Sequence, residues 1–134
     1  MQRNADSEGQ RWLKQADYDY NDAVFVMNGQ RYSLACFLAQ QSAEKALKAF
    51  LYSQGVDFVW GHSVVELCTN AIEYDKSFDK LKTTGASLDT YYIPTRYPNG
   101  LPGGIPYEAY DKEDAKMALK KSKNIIEHVR NVMS

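Results

Sequence analysis

The chain has 134 residues, a formal net charge of −1, 44% hydrophobic residues and 25% charged residues. That length suffices for one domain with a core of its own, and the balance is that of a soluble globular protein. The near-neutral charge excludes a bulk electrostatic case for nucleic-acid binding, although a local basic patch stays open.

The opening stretch, "MQRNADSEGQRWLKQAD", is polar and lacks the apolar centre of a signal peptide. No apolar run approaches the ~20 residues of a membrane span. Cys36 and Cys68 are the only cysteines and have no partner spacing, so they read as reduced, buried thiols. These features lead us to expect a cytoplasmic protein.

Helical spacing then dominates. In the first segment Leu13, Ala16, Tyr20, Ala23 and Met27 form one stripe, and Gly29 is a natural left-handed stop. Tyr18 and Phe25 point away from that stripe, seven residues apart, and suggest a subunit interface. The second segment puts Leu34, Leu38, Leu47, Phe50 and Leu51 on its apolar side, and Gly55 closes it. Its Ala35, Ala39, Ser42, Ala43 and Ala46 invite close approach by another helix. Gln40, Gln41, Glu44, Lys45 and Lys48 supply a polar face, with Glu44 and Lys48 spaced for a weak i,i+4 pair. Gln41 and Lys45 are its candidate interface residues.

The third segment opens with Ser63-Val64-Val65-Glu66, a capping-box sequence. A fourth, from Ser77, carries Phe78, Leu81, Gly85 and Leu88, with Gly85 weakening its helix propensity by about 1 kcal/mol. The last begins after Asp111, a capping residue, and lines Ala115, Leu119, Ser122, Ile126, Val129 and Met133 on one side. No alternating strand pattern, repeat or low-complexity tract is present. The expected fold is all-α: a single domain over residues 1–134, an antiparallel up-and-down bundle of four to five helices.

All four prolines lie between Pro94 and Pro106, inside one long connection from Ile93 to Tyr110. Proline inside a helix removes a donor and clashes with the preceding turn, so a helical chain confines it to connections. Five of the ten tyrosines lie in or beside this loop, which predicts a packed segment.

Chemistry-bearing patterns are sparse. His62 and His128 stand alone, without ligand-spaced carboxylates or cysteines, so no metal or other cofactor is expected. His62 reads as a helix-entry residue and His128 as a solvated imidazole. "GLPGG" lacks the Gly-Lys-Ser/Thr of a phosphate loop, and no nucleophile elbow occurs. Lys112, Lys116, Lys120, Lys123 and Arg130 share a sector of the last helix, the pattern of a solvated charged face.

Several stretches taken together resemble a known family. They are the Ala16–Ala23 spacing, "RYSLACFLAQQSAEKALKAFLYSQG", "GHSVVEL", "RYP" and the closing amphipathic helix. They are similar to the HEPN domain, an all-helical prokaryotic family often encoded beside a minimal nucleotidyltransferase. The resemblance implies a homodimer and a nucleotidyltransferase partner. In the family's ribonuclease members a histidine follows an arginine by four to six residues, one moving a proton and the other holding phosphate. Arg96 matches the arginine, but positions 101 to 103 read Leu101, Pro102 and Gly103.

A related toxin–antitoxin subset carries a modified tyrosine two residues beyond that histidine, to which Tyr107 is a loose analogue. The expectation is therefore a non-catalytic subunit that binds nucleotide or RNA through Arg96, Tyr97 and Tyr107. The competing role for Arg96 is a helix cap or a tie to Asp89 or Glu108. The competing function is a metal-independent ribonuclease with His62 or His128 as a displaced base, and a third is an assembly module without ligand.

Overall fold

The structure, a computed structural model, describes residues 4–134; Met1–Arg3, part of the polar opening stretch and of the expected domain, lie outside the described residues. Among the described residues six α-helices run α1 (Ala5–Asn28), α2 (Tyr32–Ser53), α3 (Val64–Ile72), α4 (Lys82–Asp89), α5 (Pro106–Ala109) and α6 (Lys112–Met133). Two 3-10 segments, Lys76–Leu81 and Pro98–Gly100, complete the order, and no strand occurs among the described residues.

Helix α1 starts where the Asn4 side chain accepts the Ser7 amide at 2.7 Å. Its end differs from expectation. Gly29 has φ −88°, and the left-handed residue is Gln30 at φ 62°. The last turn runs on past the glycine because the Gln30 and Arg31 amides reach back to the Met27 and Val26 carbonyls, both at 2.9 Å. Gly55 does take the expected left-handed conformation (φ 91°) after α2.

Helix α2 is the central element. Its Ala35, Ala39, Ala43 and Ala46 are fully buried, and the Ser42 and Ser122 hydroxyls meet at 2.6 Å between α2 and α6. Small side chains let these two backbones approach, as the alanine pattern predicted. Helix α1 packs along both, with Gly9 beside Ala49, Ser53 and Met133. A Cβ at Gly9 would fall 2.9 Å from the Ala49 carbonyl oxygen, so glycine sets that approach.

Two apolar clusters result. One joins Leu13, Leu47, Phe50, Leu67, Phe78 and Ile125; the other joins Ala23, Cys36, Ala39, Ala118 and Leu119. Each fully buried leucine here contributes about 2 kcal/mol relative to exposure.

The capping-box reading of α3 is half correct. The Ser63 hydroxyl accepts the Glu66 amide at 3.2 Å, but Glu66 is exposed, and it is Asp89 of α4 that takes further first-turn amides. Asp89 accepts the amides of Val64 (2.7 Å) and Val65 (3.1 Å) and the Ser63 hydroxyl (2.8 Å). One fixed carboxylate thus satisfies two end amides. At α6 the full capping box forms between Asp111 and Asp114, each bond 2.9 Å.

The proline segment departs from the packed segment expected: most of residues 93–110 are exposed, and packing is confined to the base of the loop. Thr95 is buried, its hydroxyl donating to the Tyr91 carbonyl, and Tyr91 meets Tyr110 edge-on at 6.2 Å across the base of the loop.

Candidate functional site

Helix α2 and the turn after α4 build one continuous surface strip. Phe37 projects from α2 and stacks on Tyr92 at 6.1 Å. Tyr92 stacks in turn on the His62 imidazole at 5.3 Å, with ring planes 20° apart. At the other end the Arg96 guanidinium lies over the Phe37 ring, 5.6 Å from its centroid. The order is His62, Tyr92, Phe37, Arg96. The rings are partly or well exposed and none is buried.

A buried polar network holds the His62 end. Gln40, fully buried, donates to the His62 carbonyl at 2.7 Å and to Asp89 at 3.3 Å. Gln41 donates to Gln40 and Glu44 at 2.8 and 3.3 Å. Glu44 faces Lys48 and the His62 Nδ1, both at 3.2 Å. The glutamate and lysine side chains are only 4% and 9% exposed, so this is a buried pair rather than the weak surface pair expected. The reason is packing: α1 covers that face, and the Lys48 ammonium lies 5.8 Å over the Trp12 ring. With Nδ1 turned to Glu44, Nε2 is the remaining nitrogen of a side chain that is 61% exposed.

Burial, then the charges of Glu44 and Tyr97, push the Tyr92 phenol above its ordinary range. Tyr92 therefore stays a neutral, flat platform at physiological pH. Tyr97 is near enough to contribute to that field, and is itself exposed.

Tyr107 belongs elsewhere. It sits in α5 with Arg31 over its ring at 5.8 Å, and no contact joins it to Arg96 among the described residues. Arg96 is not tied to Asp89 or Glu108: Asp89 is committed to α3, and Arg96 meets Phe37. Tyr18 and Phe25 are exposed on the outer face of α1. Gln41 and Lys45 are engaged internally, Lys45 with Asp19 at 2.5 Å.

His128 is not the solvated imidazole expected. Its Nε2 meets the Ser77 hydroxyl at 2.8 Å and its ring stands edge-on to Phe78 at 4.8 Å, because the 3-10 segment folds over that part of α6. The basic sector of α6 is largely a solvated face, with Lys116–Glu113, Lys123–Glu127 and Arg130–Asp17 pairs. Among the described residues no cluster of three metal-ligating side chains occurs, and no helix is long and apolar enough to cross a membrane.

The sequence singles out Arg96 and Tyr97; of the rings in the strip, Tyr92 stands out only as one of the loop tyrosines and Phe37 not at all. The long stretch of chain between those two rings hides their contact. Their only signal is an aromatic on the alanine-rich helix and another just before Arg96.

The all-helical bundle built on a central alanine-rich helix is that of a known class of helical domain. The HEPN domain model matches residues 10–132, and the chain belongs to the HEPN domain family. A Methanocaldococcus jannaschii protein named "Putative toxin MJ1304" is 30% identical over 131 residues, which cover 91% of this chain and 86% of that protein.

Solved structures are similar along nearly the whole length. A Thermus thermophilus protein, TT1696, superposes with a TM-score of 0.88 at 35% identity, covering 92% of this chain and 97% of its own. An archaeal HEPN homologue, ST0689, gives 0.79 at 35% identity, with both chains covered completely. A Thermotoga maritima HEPN domain protein gives 0.72 at 25% identity, covering 91% and 96%.

Proposed function

We propose that this protein is a binding subunit of the HEPN family that grips single-stranded RNA or a nucleotide along the His62–Tyr92–Phe37–Arg96 strip without cutting it. The observation that carries the reading is the strip itself: two stacked rings with a guanidinium over one end. Flat aromatic faces accept bases of any sequence, and a guanidinium accepts a phosphate through two parallel bonds. Arg96 and His62 stand at opposite ends of the two-ring stack. Among the described residues no contact joins Arg96 to His62, and the two rings lie between them, which favours holding over cleavage. Family membership supports the remainder of the proposal: a cytoplasmic homodimer that docks a minimal nucleotidyltransferase.

A second reading, a metal-independent toxin-like ribonuclease, draws support from one contact. Glu44 faces His62 Nδ1 and so orients the ring as a carboxylate orients a catalytic histidine. On this reading the arginine would have to come from a second protomer.

One experiment separates the two. Labelled single-stranded RNA is incubated with the protein in EDTA, and both anisotropy and strand length are read. Binding without cleavage, weakened about tenfold by Tyr92→Ala or Arg96→Ala, supports the first reading. Cleavage that His62→Ala abolishes transfers the case to the second. Affinity indifferent to all three substitutions removes both.

A further inference from the structure

The α2–α3 loop carries a second aromatic surface that the RNA strip does not use. Phe58 and Trp60 stack at 4.4 Å with their planes 19° apart, yet they are 62% and 76% exposed. A folded domain gains nothing by displaying its largest apolar side chains as a stacked, solvent-facing pair, and such a patch marks an interaction site. Phe58 divides two grooves. The first, about 330 Å³, runs between the aromatic pair and the end of α3, where Glu73 and the half-exposed Tyr74 line it. The second, about 440 Å³, lies on the other side of Phe58 and is lined by Asp57 and Glu8.

The charged side chain lining the first groove is acidic, Glu73, and at the second Asp57 is acidic while Glu8 is paired with Arg11. Among the described residues no lysine or arginine lines either of them. Among the described residues no ion pair holds Asp57 or Glu73, both exposed, whereas exposed carboxylates elsewhere, such as Glu113 and Glu127, face a lysine. Ring faces flanked by carboxylates attract a cation from two directions, by the negative ring face and by direct charge. The same field repels a phosphate backbone, which sets this surface apart from the Arg96 strip.

We propose that the Phe58–Trp60 surface docks a partner protein through a basic, apolar segment, whose arginine or lysine side chains lie over the aromatic pair between Asp57 and Glu73. The apolar residues of that segment would fill the groove beside Tyr74. The inference is independent of RNA binding.

The test uses the full chain and two synthetic peptides, one alternating leucine with arginine and its counterpart with glutamate. Binding is read by calorimetry and by the amide and indole NMR shifts of the labelled protein. The arginine peptide is expected to bind and to shift Phe58, Trp60 and Glu73. Its affinity falls about five- to tenfold in Trp60→Ala and again on raising salt. Glu73→Gln weakens it while leaving the far-UV spectrum and RNA affinity unchanged.

Equal binding of the glutamate peptide overturns the proposal, as do shifts confined to other surfaces or an affinity indifferent to Trp60→Ala. Two further outcomes do the same: self-association lost in Trp60→Ala assigns the patch to a second copy of the chain, and RNA displacing the peptide from Trp60 assigns it to nucleic acid.

Discussion

Asp89 Oδ1 accepts the Val64 backbone amide at 2.7 Å, so the last residue of α4 caps the first turn of α3. The same carboxylate holds Val65, Ser63 and Gln40, and Gln40 in turn holds the His62 carbonyl. Asp89 therefore links the α3–α4 pair to the aromatic strip. Replacing it with alanine strands two end amides and removes a charge-assisted cap. We expect Asp89→Ala to lower stability by about 2 kcal/mol in urea unfolding, with Asp89→Asn retaining part of it. A loss below ~0.5 kcal/mol would show that water replaces the carboxylate freely.

Gly85 tests the same junction from the opposite side. Alanine there gains about 1 kcal/mol of helix propensity. Its Cβ, however, would stand 3.1 Å from Val64 Cγ1 and 3.2 Å from the Val65 amide nitrogen and Cα. That backbone is pinned by Asp89 and cannot retreat cheaply. Overpacking against a fixed neighbour costs about 1–3 kcal/mol, so the contact wins. Gly85→Ala should lower the urea midpoint, and combining it with Asp89→Ala should cost less than the two separate losses together.

Such junctions explain what the sequence made legible. The stripe of Leu13, Ala16 and Ala23 and the alanine face of α2 are local patterns, and both are buried as read. Asp111 caps α6 from the adjacent position, so it too was visible. Asp89 acts on residues 24–26 positions away, and no spacing rule marks it. Gln40, Glu44 and Lys48 read as a polar face with a weak i,i+4 pair, because polarity alone does not reveal that neighbouring elements cover them. Arg96 was singled out as the match to the family's arginine, whereas the Phe37–Tyr92 stack beside it exists only once α2 and the turn after α4 have packed.

Cys36 and Cys68 are both fully buried, and burial raises each thiol to about 12. Asp114 and Asp111 add to the rise at Cys36; Asp89 adds to it at Cys68, where Lys82 opposes it. At pH 8 the native thiolate fraction is on the order of one in ten thousand. Ellman's reagent should therefore find no fast-reacting thiol in the native protein and both thiols in urea. A stoichiometric fast reaction at pH 8 would contradict the buried placement.

The His128 imidazole is held below its ordinary range, first by burial, then by Lys80, with Asp75 opposing. The unfolded chain then takes up this proton before the folded one does. Stability contributed by neutral His128 is complete above about pH 6.5 and is lost as pH falls from there toward the lower folded value. Asp75 moves in a separate window. Hydrogen bonds from the Ser77 side chain and backbone hold its carboxyl below the usual range, so its contribution is lost only below about pH 4. Urea midpoints of the native chain should fall between pH 7 and 5. His128→Asn should lose this residue's share of that slope while keeping the loss below pH 4. An unchanged slope in the variant would place the acid sensitivity elsewhere.

The Glu44–Lys48 pair gives the sharpest test of the buried network. Two charges 3.2 Å apart, with side chains 4% and 9% exposed, repay their desolvation only together. Among the described residues, Glu44→Ala leaves the buried ammonium without its carboxylate and beside the Trp12 ring, and the cost should reach about 3–5 kcal/mol. Lys48→Met should be similarly harmful, since the carboxylate keeps only the half-exposed His62 and Gln41. The double variant Glu44→Met/Lys48→Met removes both charges and fills the space with apolar atoms, so it should recover most of the native stability. Its RNA affinity should nevertheless stay low, because His62 has lost the carboxylate that faces its Nδ1. Recovery of stability without recovery of binding distinguishes a network that orients the strip from one that merely holds α2 in place. Simultaneous recovery of both would show that His62 needs only Tyr92 to hold it.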